Sequence, residues 1–278
     1  MIEKYVLAGG QMEPKIQDKK TNLESMVSLS YEAAGEGARL VVFPECALTG
    51  IVLDSVEEVR SMAEPIPGPA TDEMMKVCKD LGIYVIFGLI EEDNGRYFNS
   101  AVLTGPNGQI GKYRKIHLPG MGVDRFVEHG DIPFPIYDTE LGRIGILICY
   151  DGSFPESAGV LNLKGADLIV LITNWPRGAE RCSKYQVNTR AMDNHLFYAA
   201  INRVGLERDF FFFGMSKVAD VWGKTLAEGG YGANEIIYAE VEPLKSRHKR
   251  HVLMEGKNIL DFRKDRRPEL YSLLTKSI

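Results

Sequence analysis

The chain has 278 residues, of which 45% are hydrophobic and 26% are charged, and its formal net charge is −5. These values predict a globular protein with a sizeable core, and they argue against nucleic acid or an anionic membrane as a partner. No apolar run approaches the roughly 20 residues that span a bilayer, and the first ten residues do not have the pattern of a signal peptide.

The cysteines and histidines are scattered along the chain rather than grouped. No two of the four cysteines form a Cys-x-x-Cys pair, which favours a reducing cytoplasm over a disulfide framework. His248 and His251 are close in sequence, but no cysteine or acid is spaced around them as in a zinc site. We therefore expect a cytoplasmic protein without a metal, with these two histidines at the solvated surface.

Strand and helix patterns alternate in the first half of the chain. Apolar strands are predicted at 5–10, 39–45 and 83–92, and amphipathic helices at 21–38 and 70–82. Two further strand patterns at 97–120 flank a Pro-Asn-Gly turn, which is a strong hairpin signal.

The second half continues this alternation. Strands are predicted at 143–149, 166–173, 196–205 and 235–242, helices at 154–165 and 178–194, a tight turn inside 210–228, and a polar, weakly helical tail at 260–274. The order indicates an α/β protein whose mixed sheets are covered by helices. Because no Pro- or Ser-rich linker divides the chain, residues 1–278 are predicted to form a single domain.

Three reactive side chains stand where predicted strands end, and chemistry in open α/β folds collects beyond the carboxyl ends of strands. They are Glu45 in "LVVFPEC", Lys115 in "GKYRKIHLPG" and Cys149 in "ILICYDG". Each alone has an ordinary structural interpretation: a solvated acid, a surface lysine and an inert core thiol. Their occurrence together, in this order, favours a catalytic interpretation.

The three residue types also form a sensible chemical set. A thiol with a pKa near 8.5 is mostly protonated at neutral pH, so it needs a base or a cation nearby to become a nucleophile. A buried carboxylate can accept the thiol proton, and an ammonium can stabilise the oxyanion that forms on attack at a carbonyl or nitrile carbon. Base, nucleophile and oxyanion stabiliser are sufficient for covalent acyl transfer.

These motifs resemble those of the carbon-nitrogen hydrolase (nitrilase) superfamily, which cleaves amides, nitriles and N-carbamoyl compounds. The resemblance runs nearly end to end, through "LVVFPECALTG", "GKYRKIHLPG", "ILICYDGSFPE", "ADLIVLITNWP", "RAMDN", "INRVG" and "DRRPELY". It implies a four-layer α-β-β-α sandwich with two mixed β-sheets. It also implies a homodimer or a higher homo-oligomer, with the tail at about 255–278 in the oligomer contacts.

The resemblance also implies roles for individual residues. Glu45 corresponds to the general base, Lys115 to the electrostatic stabiliser and Cys149 to the nucleophile, and no metal or organic cofactor is required. Glu128 stands where many members have a second, auxiliary glutamate, and the backbone N–H of Tyr150 corresponds to the other oxyanion donor.

Two nearby residues have alternative interpretations. His117 is the rival base because it is close in sequence to Lys115, but the family has no catalytic histidine there, which favours a structural role. Asp151 is expected to form local turn hydrogen bonds.

The residues after the cysteine bear on the substrate. Many members have an arginine at the fourth position after the cysteine, where this chain has Ser153, and "CYDGSFPE" resembles the aliphatic amidase pattern more than the Cys-Trp-Glu of nitrilases. A small neutral amide is therefore the expected substrate, with Ser153, Asn174, Trp175 and Arg177 as candidate pocket residues. A nitrile or an N-carbamoyl compound is the alternative substrate. Arg177 offers another cation, which would suit an acidic substrate.

Two interpretations outside hydrolysis remain open. Cys149 is a candidate redox-sensing thiol, although no cysteine is spaced as a resolving partner. A non-catalytic binding scaffold is the other, although it would not require the Glu-Lys-Cys set.

Overall fold

The computed structural model describes residues 2–276, which form sixteen strands and six α-helices. The strands are β1 (Tyr5–Gln11), β2 (Ala38–Val42), β3 (Tyr84–Asp93), β4 (Arg96–Gly105), β5 (Gly108–Arg114), β6 (Ile136–Thr139), β7 (Gly142–Ile148), β8 (Leu168–Thr173), β9 (Phe197–Asn202), β10 (Val204–Glu207), β11 (Phe210–Phe213), β12 (Lys217–Ala219), β13 (Thr225–Glu228), β14 (Glu235–Val241), β15 (Arg250–Met254) and β16 (Asn258–Asp261). The α-helices are α1 (Lys19–Gly35), α2 (Val56–Met62), α3 (Pro69–Leu81), α4 (Pro155–Leu163), α5 (Val187–Asn194) and α6 (Pro243–Arg247).

Twelve of the strands form two six-stranded mixed sheets of similar design. The first has the order β14-β1-β2-β3-β4-β5 and the second has the order β13-β12-β9-β8-β7-β6. In each sheet three parallel strands lie together, β1-β2-β3 in one and β7-β8-β9 in the other, and antiparallel strands flank them. β10-β11 and β15-β16 are separate two-stranded ribbons.

The two sheets face each other across one apolar core. Leu7, Leu40 and Ile86 of the first sheet pack in the same cluster as Ile146 and Val170 of the second. Such continuous burial on both faces suits the apolar runs of parallel strands, as in "LIVLIT" of β8, where all six residues are buried. The core therefore lies between the sheets, as expected for a sandwich.

Helices cover the outer face of each sheet. Met26 of α1 and Met74 of α3 pack with Val41 and Phe87 of the first sheet, while Leu161 of α4 and Val187 of α5 join the cluster of the second sheet. The layers therefore follow the order α-β-β-α, and the predicted four-layer fold with two mixed sheets is confirmed.

Local sequence signals explain the ends of the predicted helices. α3 begins with Pro69 at its first position, after Gly68, and ends at Gly82 in the left-handed conformation with φ of 66°. α1 begins after Asp18, whose side chain accepts a hydrogen bond from Thr21 N.

Several elements differ from the sequence predictions. The sequence predicts one helix at 178–194, but in the structure a π-helical turn at Cys182–Gln186 precedes the regular helix α5. The tail predicted at 260–274 begins with the last residues of β16 and continues into two 3-10 turns, Pro268–Leu270 and Ser272–Thr275, rather than a helix. His251, expected at the surface, lies only partly exposed, with its ring centroid 4.2 Å from that of His195. No helix within residues 2–276 is both long and apolar enough to cross a membrane.

Candidate active site

Glu45 lies three residues beyond the end of β2 and is completely buried. A close approach of β3 holds the chain at this point, since Gly88 N donates to Pro44 O and Leu48 N donates to Gly88 O. A Cβ atom at Gly88 would lie 2.4 Å from Cys46 N and 2.8 Å from the Glu45 Cα. Glycine is therefore required in β3 for the Glu45 turn to pack against it.

Lys115 follows β5 directly and is 1% exposed. Its Nζ lies 2.6 Å from Glu45 Oε1 and 2.5 Å from Asp124 Oδ2. Asn99 in β4 completes the cluster, because its Nδ2 donates to Glu45 Oε1 at 2.8 Å and to Asp124 Oδ1 at 2.9 Å. One ammonium and one amide thus hold two buried carboxylates.

The sequence motifs indicated neither Asn99 nor the other additional member of this cluster, Asp124. It lies in a 3-10 turn, Gly122–Arg125, rather than at a strand end, and it is 5% exposed. Val123 N donates to Ile51 O at 2.8 Å, which fixes the turn against the segment that follows Glu45. For Asn99, an available signal was its position as a polar residue inside the apolar strand "YFNSAVL".

Burial and mutual charge shift the pKa values in the cluster. Burial raises the pKa of Glu45, and Asp124 adds to the increase although Lys115 opposes it. Burial alone would lower the pKa of Lys115, but the carboxylates of Asp124 and Glu45 outweigh it, and the pKa is well above its usual value. The lysine is therefore a fixed cation, while Glu45 has an increased affinity for a proton.

Cys149 follows β7 directly, at the start of the 3-10 segment Cys149–Ser153, and is 9% exposed. Burial raises the pKa of its thiol and the Glu45 carboxylate raises it further, whereas Lys115 and the backbone N–H of Asn174 lower it. Glu45 and Lys115 thus lie close enough to act on the thiol electrostatically. At neutral pH the resting thiol is protonated, so a proton acceptor is needed before it can attack.

Glu128, the sequence candidate for the auxiliary acid, does not lie in this cluster. Its carboxylate is about half exposed and accepts a hydrogen bond from Arg96 Nε at 2.8 Å at the surface. The second carboxylate against Lys115 is Asp124, four residues earlier in the chain. The reason is local: the 3-10 turn directs Asp124 inward, and the chain then returns to the surface, where Glu128 N pairs with Tyr97 O.

The candidate pocket residues fall into a buried pair and an exposed set. Asn174 is buried, with its Nδ2 donating to Glu45 O at 2.9 Å, and Trp175 beside it is 4% exposed. Ser153 and Arg177 are exposed, and the Arg177 guanidinium lies 5.0 Å from the centroid of the Phe211 ring.

Tyr150, directly after Cys149, has an exposed ring edge-on to Phe154 with centroids 5.1 Å apart. The structure thus brings Asn174 to the charged cluster, whereas Ser153, Arg177 and the Tyr150 ring are exposed to solvent.

All four cysteines are free thiols. Within residues 2–276 no group of three or more His, Cys, Asp or Glu side chains is placed to hold a metal ion. His117 directs its Nδ1 to Asp151 Oδ1 at 2.8 Å, and its ring stacks on Phe154 at 3.9 Å between centroids.

Known proteins match this fold and sequence over almost the whole chain. The carbon-nitrogen hydrolase family model matches residues 7–249. A nitrilase of Pyrococcus abyssi is 38% identical over 267 residues, covering 94% of this chain and 97% of the relative. An omega-amidase of Xenopus laevis is 32% identical, covering 93% of this chain and 94% of the relative. The solved structure of a carbon-nitrogen hydrolase from Helicobacter pylori G27 is 25% identical with a TM-score of 0.88, covering 99% of each chain.

The fold and the matches together define a hydrolase of the α-β-β-α sandwich class. The chain belongs to the carbon-nitrogen hydrolase family. It acts on carbon-nitrogen bonds other than peptide bonds, in an amide or a nitrile.

Proposed function

We propose that this enzyme hydrolyses a small carboxylic amide to the acid and ammonia through a thioester on Cys149. The observation that carries the proposal is the buried cluster of Glu45, Lys115 and Asp124 beside this thiol. The cluster combines a buried proton acceptor, a buried fixed cation and a mostly buried nucleophile, which is the set that acyl transfer requires.

Glu45 is the proposed base. Its Oε1 is engaged by Lys115 and Asn99, whereas no group within residues 2–276 hydrogen-bonds the buried Oε2. Oε2 is therefore available for the thiol proton, and the raised pKa of the carboxyl group favours its transfer. The thiolate then attacks the substrate carbonyl carbon.

Lys115 and the Tyr150 backbone N–H are the proposed oxyanion donors. An ammonium group has three N–H bonds, and Glu45 and Asp124 accept two of them, so one remains for the oxyanion. Protonated Glu45 next gives its proton to the leaving nitrogen, and ammonia departs. Water that Glu45 activates hydrolyses the thioester and regenerates the thiol, with no cofactor needed for these steps.

An amide is favoured over a nitrile by the residues after the nucleophile. The sequence Cys-Tyr-Asp-Gly at 149–152 resembles the aliphatic amidase pattern rather than Cys-Trp-Glu. The relatives carry the names nitrilase, omega-amidase and formamidase, so both bond types occur among similar proteins. Ammonia release from matched pairs, propionamide with propionitrile and butyramide with butyronitrile, tests this choice. Faster turnover of the nitriles would make the enzyme a nitrilase.

A neutral acyl chain is the proposed preference. Ser153 stands where many family members have an arginine, so a substrate carboxylate would lack the bidentate charged partner that the arginine provides. Comparing kcat/KM for propionamide, succinamate and an N-carbamoyl amino acid tests this, and Ser153→Arg should shift the ratio towards the acidic substrates. A wild-type preference for succinamate that Arg177→Ala removes would show that Arg177 supplies the cation and that the argument from Ser153 is wrong.

We also propose a cytoplasmic homodimer or larger homo-oligomer, with the tail at about 255–278 in its contacts. Three exposed leucines of the tail support this: Leu270, Leu273 and Leu274. Apolar side chains clustered at a surface are typical of a contact that another subunit covers. The four unpaired cysteines agree with a reducing compartment.

A further inference from the structure

Asp151 has a fully buried carboxylate that accepts four hydrogen bonds. Oδ1 accepts from His117 N at 3.1 Å and lies 2.8 Å from His117 Nδ1. Oδ2 accepts from Ile148 N at 3.0 Å and from Tyr113 Oη at 2.9 Å. Both oxygens are thus used twice, by groups from two separate segments of the chain.

Those segments carry Lys115 and Cys149. Tyr113 and His117 flank Lys115 at two residues on either side, while Ile148 directly precedes Cys149. β5 belongs to the first sheet and β7 to the second, so Asp151 connects the ends of strands from different sheets. The carboxylate of Asp151 therefore connects the segment of the proposed cation, Lys115, with the segment of the proposed nucleophile, Cys149.

The backbone at Cys149 needs such a restraint. Its φ is +44°, in the left-handed region that residues with a Cβ atom rarely adopt. A strained conformation of this kind persists only where the surroundings determine it. The bond from Ile148 N to Asp151 Oδ2 closes a short loop around Cys149 and supplies that restraint.

We propose that Asp151 is a positioning residue that holds the Cys149 thiol in register with Lys115. This positioning role belongs to the site of the proposed amidase reaction. Its predictions about turnover therefore rest on that proposed function. Asp151 acts through the backbone of Ile148 and His117 and through Tyr113, not by contact with substrate.

A rival role comes from the same geometry. An aspartate that hydrogen-bonds a histidine beside a cysteine has the components of a Cys-His-Asp triad, in which His117 is the base. In this structure the imidazole lies flat against Phe154, and its Nδ1 faces Asp151. The two roles differ in what His117 itself is needed for, and substitution separates them.

The test compares Asp151→Asn with His117→Gln. Asparagine keeps the size of aspartate but has one acceptor and one amide group, so one of the backbone N–H groups of Ile148 and His117 must face another donor. Asp151→Asn should lower kcat about a hundredfold, the scale of a misplaced reacting group. KM should change little. Iodoacetamide alkylation of Cys149, followed by peptide mapping, should slow by a similar factor.

His117→Gln and Tyr113→Phe each remove one of four hydrogen bonds and should keep most of kcat and of the alkylation rate. Unchanged kcat and alkylation in folded Asp151→Asn, with only a lower Tm, would overturn the positioning role. Loss of activity in His117→Gln equal to that in Asp151→Asn, with the acid limb of the pH profile abolished, would establish the triad instead.

If Asp151→Asn does not fold, Asp151→Glu decides. It keeps the charge but moves the carboxylate by one methylene relative to Ile148 N and His117 N, so kcat and the alkylation rate should fall several-fold, and no change in either would refute the proposal. The alkylation rate needs no substrate. It therefore tests the position of Cys149 even if the wild type proves inactive on every amide, which would refute the proposed function separately.

Discussion

The buried ammonium of Lys115 contacts two carboxylates, those of Glu45 and Asp124. The presence of the second carboxylate matters when Glu45 changes its charge. In the proposed reaction Glu45 accepts the thiol proton and becomes neutral, so its attraction for Lys115 weakens. A single buried cation without a partner is costly. Asp124 Oδ2, 2.5 Å from Lys115 Nζ, remains as its counter-ion at that stage. Asp124 thereby allows Glu45 to change charge while Lys115 stays protonated.

The role of Asp124 predicts a contrast with Glu128. Asp124→Asn should reduce kcat about a hundredfold, comparable to losing one oxyanion donor, because the amide group must face either Lys115 or Asn99 donor to donor. Glu128→Gln removes only an exposed pair with Arg96 and should leave kcat near wild type. Steady-state kinetics on one amide measures both. Equal and large losses in both variants, or full activity of Asp124→Asn, would contradict this account of the cluster.

The site could be predicted in part from single residues. Glu45, Lys115 and Cys149 stand at or just beyond strand ends, where chemistry in α/β folds collects. Asp124 escaped prediction because its direction depends on Gly122, which has a φ of +52° and whose Cβ would lie 2.3 Å from Ile51 O. That contact is between distant segments, so no local pattern reports it. Glu128 was chosen from a resemblance, and the turn directs it outward.

At the scale of elements, His195 connects the end of α5 to the tail. It caps α5 in the left-handed conformation with φ of +47°, and its ring packs against Trp222, His251 and Phe262. Burial lowers its pKa to about 4, and His251 and Lys249 add to the decrease, while Asp220 opposes it. The neutral imidazole is therefore part of the packing of the β15-β16 hairpin.

This packing predicts a loss of stability in acid. In the unfolded chain His195 has its ordinary pKa of 6.5, so between pH 6.5 and about 4 the unfolded state binds a proton that the folded state does not. The stabilisation is complete above pH 6.5 and falls by up to about 3 kcal/mol as the pH drops through this window.

His195→Asn is the matched variant, because asparagine tolerates the left-handed conformation. Urea unfolding at pH 7 and pH 4.5 should show a larger decrease for the wild type than for His195→Asn, whose stability at pH 7 is lower through lost ring contacts. The same decrease in both proteins would show that His195 is not the responsible group.

Regular elements with a clear period were predicted well, and those defined by distant contacts were not. α3 at Pro69–Leu81 lies within one residue of the predicted helix 70–82, because its proline and glycine mark both ends. The β15-β16 hairpin was missed because its strands, RHVLM and NILD, are short and mostly exposed, without an alternating apolar pattern. Its position is determined by packing on the ring of His195, which is distant in sequence.

For the whole molecule, the tail at about 255–278 is the proposed contact with a second subunit. The exposed leucines of the tail give a testable surface. Leu273→Glu/Leu274→Glu should shift the protein towards the monomer in light scattering after size exclusion, because charges would be buried in the contact. Leu206→Glu, at an equally exposed leucine in β10, is the control and should not change the mass. A wild-type monomer, or an assembly that tolerates the tail charges, would show that the tail is not the contact.

A thioester on Cys149 is the intermediate of the proposed reaction, and mass spectrometry of the enzyme quenched in acid during turnover of a small amide detects it. The wild type should carry one added acyl group, which peptide mapping places on Cys149, and the adduct should be lost on treatment with hydroxylamine. Cys149→Ala should carry none and release no ammonia. An acyl group on Cys46 or Cys182, or full turnover by Cys149→Ala, would contradict the account.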